Sequence, residues 1–112
     1  MNVNLPLKLD LLWPNNEVIF SKTGDENRYA QPTLEAGQEA WNIPAGAVCT
    51  IHTKQINQNV VTLSDYSFTD NVLTIRLPIY TTPGRAKTEV EISVGGETIT
   101  SFDFTVVVLQ SA

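Results

Sequence analysis

In the stretch Asn71–Leu77, Leu73, Ile75 and Leu77 alternate with Thr74 and Arg76, so one face of the chain is apolar and the other polar. A period of two is the mark of a half-buried strand. Val90, Ile92 and Val94 repeat it within Lys87–Val94, and Gly95-Gly96 then supplies two residues that accept positive φ, as a tight hairpin requires. The return strand is predicted over Glu97–Leu109, with Phe102, Phe104, Val106 and Val108 on one face. Ile99 joins that face only if the chain bends near Ser101, because its odd number sets it on the opposite side of a regular strand.

Upstream, Leu7, Leu9 and Leu11 alternate with Lys8 and Asp10, and Pro14-Asn15-Asn16 forms a turn before a second run, Glu17–Ser21. Further strands are predicted over Arg28–Leu34, Ala47–Thr53 and Val60–Phe68. Pro32 has no N–H to give to a ladder and so favours an edge or a bulge. Leu34–Trp41 has the one helix-like composition, but Gly37 interrupts it and Pro44 limits it, which leaves a single turn at most. Short strands punctuated by turns, with no helices to cover a parallel sheet, predict an all-β fold. It is expected to be an antiparallel immunoglobulin-like β-sandwich of about seven to eight strands. The whole chain, 1–112, is expected to be a single domain. The Cys…Trp…Cys spacing of antibody domains is absent, so the likeness is one of architecture.

Composition sharpens this picture. Val, Ile and Thr number 11, 8 and 13, a β-branched excess that suits pleated, half-buried surfaces. One cysteine can form neither an internal disulfide nor a zinc cage. A net charge of −5 argues against nucleic acid as a partner, since phosphate binding relies on an excess of Lys and Arg. No apolar run approaches the roughly 20 residues of a membrane span, and the first residues lack a basic then apolar leader. The expectation is a soluble chain, not exported by the usual signal and not inserted in a membrane.

Cys49 and His52 are the only thiol and imidazole, but a separation of three along a strand turns them to opposite faces, so a nucleophile–base pair is not expected. Cys49 suits a buried position beside Ile51. Asp25, Glu26, Asp65 and Asp70 lie in or near turns without the dense oxygen spacing of a calcium loop, and Glu89 and Glu91 share an outward face as solvated charges. Gly84 and Gly95-Gly96 lack the strand–loop–helix context of a phosphate cradle. No catalytic, cofactor-binding or metal-binding residues are expected, and no enzyme activity.

Apolar residues in outward places carry more information. Leu12 and Trp13 end the first strand, Trp41 sits among small residues, and Val107 and Leu109 make the last strand apolar on both faces. Either loops of the same domain cover them or they form a partner or oligomer interface. A different reading uses Trp13, Trp41, Tyr66 and Tyr80 as flat stacking faces of a carbohydrate- or protein-binding module, which requires two or more of them exposed on one side.

Three segments add a family likeness. Phe20-Ser21-Lys22-Thr23-Gly24-Asp25-Glu26-Asn27 runs a strand into a G-D-x-N turn. Asn42-Ile43-Pro44-Ala45-Gly46-Ala47-Val48 leads into a middle strand, with Ile43 in an apolar place before Gly and Ala. Leu77-Pro78, Pro83-Gly84, Glu89–Ile92 and Ile99-Thr100-Ser101-Phe102-Asp103-Phe104 follow in order. Together these resemble the N-terminal domain of the phage baseplate upper protein family, found in tail proteins of phages that infect Gram-positive bacteria. Arg28–Pro32 is less apolar than the corresponding strand of that family. Family members commonly continue into a coiled coil or fibre-bearing region, whereas this chain ends soon after the domain. The resemblance implies a non-enzymatic virion component, assembled in the bacterial cytoplasm. It would dock on a tail baseplate, or on the head as a decoration or head-fibre base, and support host-adhesion machinery. The partners it implies are other phage structural proteins and further copies in a homo-oligomer, with a host-surface glycan as another.

Overall fold

The hairpin at Gly95-Gly96 organises one of two sheets, and the residues around Ser101 decide how its return strand faces the core. The computed structural model describes residues 1–111. In chain order the strands are β1 (Val3–Asp10), β2 (Val18–Lys22), β3 (Arg28–Ala36), β4 (Glu39–Ala40), β5 (Val48–Gln55), β6 (Val61–Leu63), β7 (Tyr66–Thr69), β8 (Val72–Arg76), β9 (Gly84–Val94), β10 (Glu97–Thr100) and β11 (Phe104–Leu109). No helix is present among the described residues. The first sheet runs β1-β3-β8-β7, with β4 on the end of β3. The second runs β2-β11-β9-β5-β6, with β10 also on β9. The two pack face to face as a β-sandwich. Between them lie Leu9, Leu34, Leu73 and Ile75 from the first sheet and Ile51, Val90, Phe104 and Val106 from the second. Each such side chain contributes roughly 1.5–3 kcal/mol by leaving water.

Strand direction departs from expectation. The sheets are mixed rather than purely antiparallel: β1 runs parallel to β3, with Leu9 opposite Leu34, and β2 runs parallel to β11, with Phe20 opposite Val107. Alternation fixes which face a side chain takes but carries no information on direction. Both parallel pairs involve the first two strands. After β1 the chain crosses to the other sheet, so neither strand is tied to its neighbour by a hairpin that would enforce antiparallel pairing.

The predicted return strand over 97–109 is two strands on the same side of β9. Thr100 pairs with Glu91 and Phe104 with Thr88, so three residues of one strand oppose two of the other, as in a β-bulge. Ser101 anchors it: its amide donates to Val90 O at 2.8 Å and its Oγ accepts from Val90 N at 2.9 Å. The extra residue brings Ile99 onto the side of Ile92 and leaves Phe104, Val106 and Val108 inward. Phe102, expected inward, lies in the bulge and is 41% exposed.

Two further expectations change, and the turn expected near Gly37 takes a definite form. Val60–Phe68 is not one strand: β6 belongs to the second sheet and β7 to the first, and the chain crosses between them at Ser64-Asp65. Leu63 and Tyr66 are an odd three residues apart, which already breaks a period of two. Pro32 sits in the middle of a central strand, buried opposite Leu7, and not at an edge. The β3–β8 pairing skips from Ala30–Ile75 to Thr33–Val72, and Gln31 Nε2 donates across the gap to Thr74 Oγ1 at 3.2 Å. The Leu34–Trp41 turn is a β-hairpin tip, with Gly37 and Gln38 both at positive φ. Asp10 braces it from β1, accepting amide hydrogens from Gly37 at 3.1 Å, Gln38 at 2.9 Å and Leu12 at 2.8 Å.

The open side of the sandwich, where β1 and β2 are both edge strands, is closed by side chains. Glu17 Oε1 accepts from the Lys8 amide at 3.1 Å. Arg28 is held by Asp25 through Nε at 2.8 Å and donates to Phe20 O at 3.3 Å. Charged groups over unpaired edges discourage strand addition, so these edges are poor places for another chain to extend the sheet.

Candidate interaction surfaces

The chemistry-bearing residues separate as their spacing implies. Cys49 points into the core, where burial pushes its thiol up from the ordinary value. His52 lies on the outer side of β5 with Nε2 3.4 Å from Glu91 Oε2. The two rise from opposite faces of one strand and form no dyad. Asp25 is spent on Arg28 at 2.7 Å and Asp65 lies 3.8 Å from Arg76. Among the described residues no three His, Cys, Asp or Glu side chains are grouped closely enough to share a metal ion.

The five candidate interface residues fall in three places. Val107 and Leu109 share the outer face of the second sheet, Val107 half-buried and Leu109 48% exposed. Leu12 and Trp13 stand together on the β1–β2 loop, 56% and 49% exposed. Leu12 leans over the hairpin tip, since a Cβ at Gly37 would meet its Cδ1 at 3.4 Å. Trp13 borders a depression of about 420 Å³ shared with Lys8, Asp10, Glu17 and Glu35. Asp10 remains charged into acid: partial desolvation raises its carboxyl, but the amide hydrogens of Gln38, Leu12 and Gly37 outweigh this and hold it below 3.8. Trp41 is elsewhere, half-buried against the core beside Pro44, Ile92 and Ile99.

The aromatic side chains do not gather on one side. Tyr80 is buried, which pushes its phenol up, with the Thr53 hydroxyl acting in the other direction. Tyr66 packs on the core and its hydroxyl accepts from the Cys49 amide at 3.0 Å. Of the four rings named for stacking, Trp13 alone presents an exposed face.

Residues that the sequence does not mark as interface candidates complete the surface around Val107. Val18 and Phe20 point outward from β2, Phe20 being 55% exposed, and they pair across with Thr105 and Val107. On the far side of β11, Arg85 pairs with Val107 and Lys87 with Thr105, and Lys54 of β5 pairs with Lys87. Lys22 pairs with Leu109 at the sheet edge. An apolar island of Val18, Phe20, Val107 and Leu109 is thus flanked by four of the chain's seven basic side chains. The ion pairs of the described residues use none of these four. The signal was present in Glu17–Ser21, which is apolar on both faces, as Val106–Leu109 is. What joins the two segments is a parallel pairing between strands near opposite ends of the chain, and period alone does not reveal it.

No protein-family model matches the chain, and no curated protein is significantly similar to it.

Proposed function

We propose that the chain is a non-enzymatic structural and assembly domain of a phage virion, docking on the tail baseplate or head and supporting host-adhesion machinery. One observation carries the assembly half of this reading. The apolar island on the outer face of β2 and β11 is left uncovered by the chain's own loops, while Trp41, Tyr66 and Tyr80 are packed inward. Contiguous exposed apolar area marks an interaction surface more often than a solvated one. The virion half rests on the ordered resemblance of the Phe20–Asn27, Asn42–Val48 and Leu77–Phe104 segments to the baseplate upper protein family. Other phage structural proteins are its partners in this reading, and the assembled virion is its location.

The test is sedimentation of phage particles from the producing culture through a density gradient, with the chain followed by antibody. Co-migration with intact particles at a fixed copy number is the expected result. Recovery only at the top of the gradient, with particles assembled normally, overturns the virion assignment.

A further inference from the structure

Two surfaces, one on the outer face of the second sheet and one at the β1–β2 loop, each combine exposed apolar side chains with charges, of opposite sign. On the outer face of the second sheet, Phe20, Val107 and Leu109 lie beside Lys22, Arg85 and Lys87. At the end of the first sheet's outer face, Leu12 and Trp13 are exposed beside Asp10, Glu17 and Glu35, with Lys8 the one cation on that depression. Four of the seven cations stand on the outer face of the second sheet, where Glu89 and Glu91 follow Arg85 and Lys87 along β9, and the remaining three cations share the rest of the chain with at most ten carboxylates.

We infer that the two surfaces are the two halves of one contact, the cationic β2–β11 face of one copy receiving the acidic Leu12–Trp13 loop of the next. The proposal deepens the assembly reading given above and rests on it. A two-fold contact through the β2–β11 face would bring Arg85 and Lys87 against their own counterparts, and like charges across an interface select against that pairing. A head-to-tail contact brings unlike charges together. Its apolar centres, with Trp13 as the anchor, exclude water from the charge pairs at the rim. Because the two halves lie on different faces, each added copy presents a fresh half. The geometry generates a ring if the rotation closes and a filament if it does not. Arg28 and Glu17 guard the sheet edges, so the contact joins face to loop and not strand to strand.

The experiment is light scattering coupled to size-exclusion chromatography over a wide concentration range, on the full chain and three variants. Val107→Asp removes the receiving face, and Arg85→Glu with Lys87→Glu does the same at exposed positions in case the first variant fails to fold. Trp13→Ser with Glu35→Lys removes the inserting loop. The wild-type chain is expected to form species larger than a dimer, weakened by added salt as paired surface charges are screened. Each variant alone is expected to lose self-association by about 30-fold or more, the range of a central anchor residue. Mixed together, a receiving-face variant and the loop variant restore one contact and give a heterodimer that grows no further. Three results overturn the proposal: a wild-type chain monomeric at every concentration, a loop variant that dimerises alone, or a mixture of folded variants that stays monomeric. Particle co-sedimentation is indifferent to these masses, so the virion assignment and the head-to-tail contact fail separately.

Discussion

The two sheets have similar inner faces and dissimilar outer ones. Over the first sheet the outward side chains include Gln31, Thr33 and Thr74, and they satisfy one another or water, as the Gln31–Thr74 hydrogen bond at 3.2 Å illustrates. Over the second sheet the equivalent positions on β2 and β11 are Val18, Phe20 and Val107, beside cations with no partner among the described residues. Folding accounts for the middle of the first face, leaving exposed apolar side chains at its end, at Leu12 and Trp13. It does not account for the second, since a β-branched or aromatic side chain facing water contributes little to the monomer. The comparison therefore separates residues that hold the sandwich from residues that await something outside it.

The largest expected effect comes from removing what both faces rest on. Phe104 is fully buried, and Phe104→Ala is expected to cost about 3–5 kcal/mol of unfolding free energy in a denaturant titration. Phe102→Ala, two residues earlier in the bulge, is expected to cost under about 1 kcal/mol. Equal losses would mean that the bulge does not turn Phe102 outward.

Next in size is the anchor of that bulge. Ser101→Ala removes the acceptor of the Val90 amide, and a buried N–H left without a partner costs roughly 1–3 kcal/mol. Hydrogen exchange at Val90 should accelerate more than exchange at Ile75, which lies on β8 in the other sheet. A uniform acceleration would show only global destabilisation.

The bulge also marks where sequence reading succeeds and where it stops. Alternation in Lys87–Val94 and the Gly95-Gly96 turn predicted β9, its hairpin and a bend near Ser101, because each is a local property of the chain. The inward face of Phe102 was misread, since one inserted residue reverses every parity between the bend and the next register point. Pro32 reads as an edge or bulge residue but is neither, because the Gln31–Thr74 bond that spans its gap in an unshifted register joins residues far apart in sequence. Outward apolar placement shows the same division. That of Val107 and Leu109 is legible from a strand apolar on both sides, and that of Leu12 and Trp13 from a strand end. Phe20 and the Arg85–Lys87–Lys54 cluster join that surface only through the parallel β2–β11 pairing and the β9–β5 register, which are long-range facts.

At the other end of the first sheet, Gly37→Ala is expected to destabilise by about 1 kcal/mol, as an L side chain is strained at φ 64°, while its Cβ would only touch Leu12. A thermal shift measured with and without Leu12→Ala separates the two causes, since the contact disappears in the double variant and the strain does not. Asp10 braces the same turn, and its effect is confined to acid. Its carboxyl titrates below the ordinary 3.8, so the stability it contributes is present above that value and is lost as pH falls through the lower folded one. Asp10→Asn is expected to flatten the pH dependence of the melting temperature below about pH 4. An unchanged acid slope in the variant would remove Asp10 from the account of the hairpin tip.

The smallest expected effect is the most direct measure of the difference between the faces. Val107 and Thr33 are both half-buried, outward-facing residues of central strands, one on each sheet. Val and Thr are close in volume and in strand preference, so Val107→Thr and Thr33→Val are each expected to change monomer stability by about 0.5 kcal/mol or less. Retention on a hydrophobic column should move in opposite directions: down for Val107→Thr, which breaks the apolar island, and up by a lesser amount for Thr33→Val, which adds one methyl beside Val72. If Val107→Thr instead costs the monomer as much as a core deletion, Val107 is packed by the domain's own chain and the second sheet's outer face is as finished as the first. If it costs nothing and retention falls, the apolar surface is available to a partner, and the charges beside it decide which partner fits.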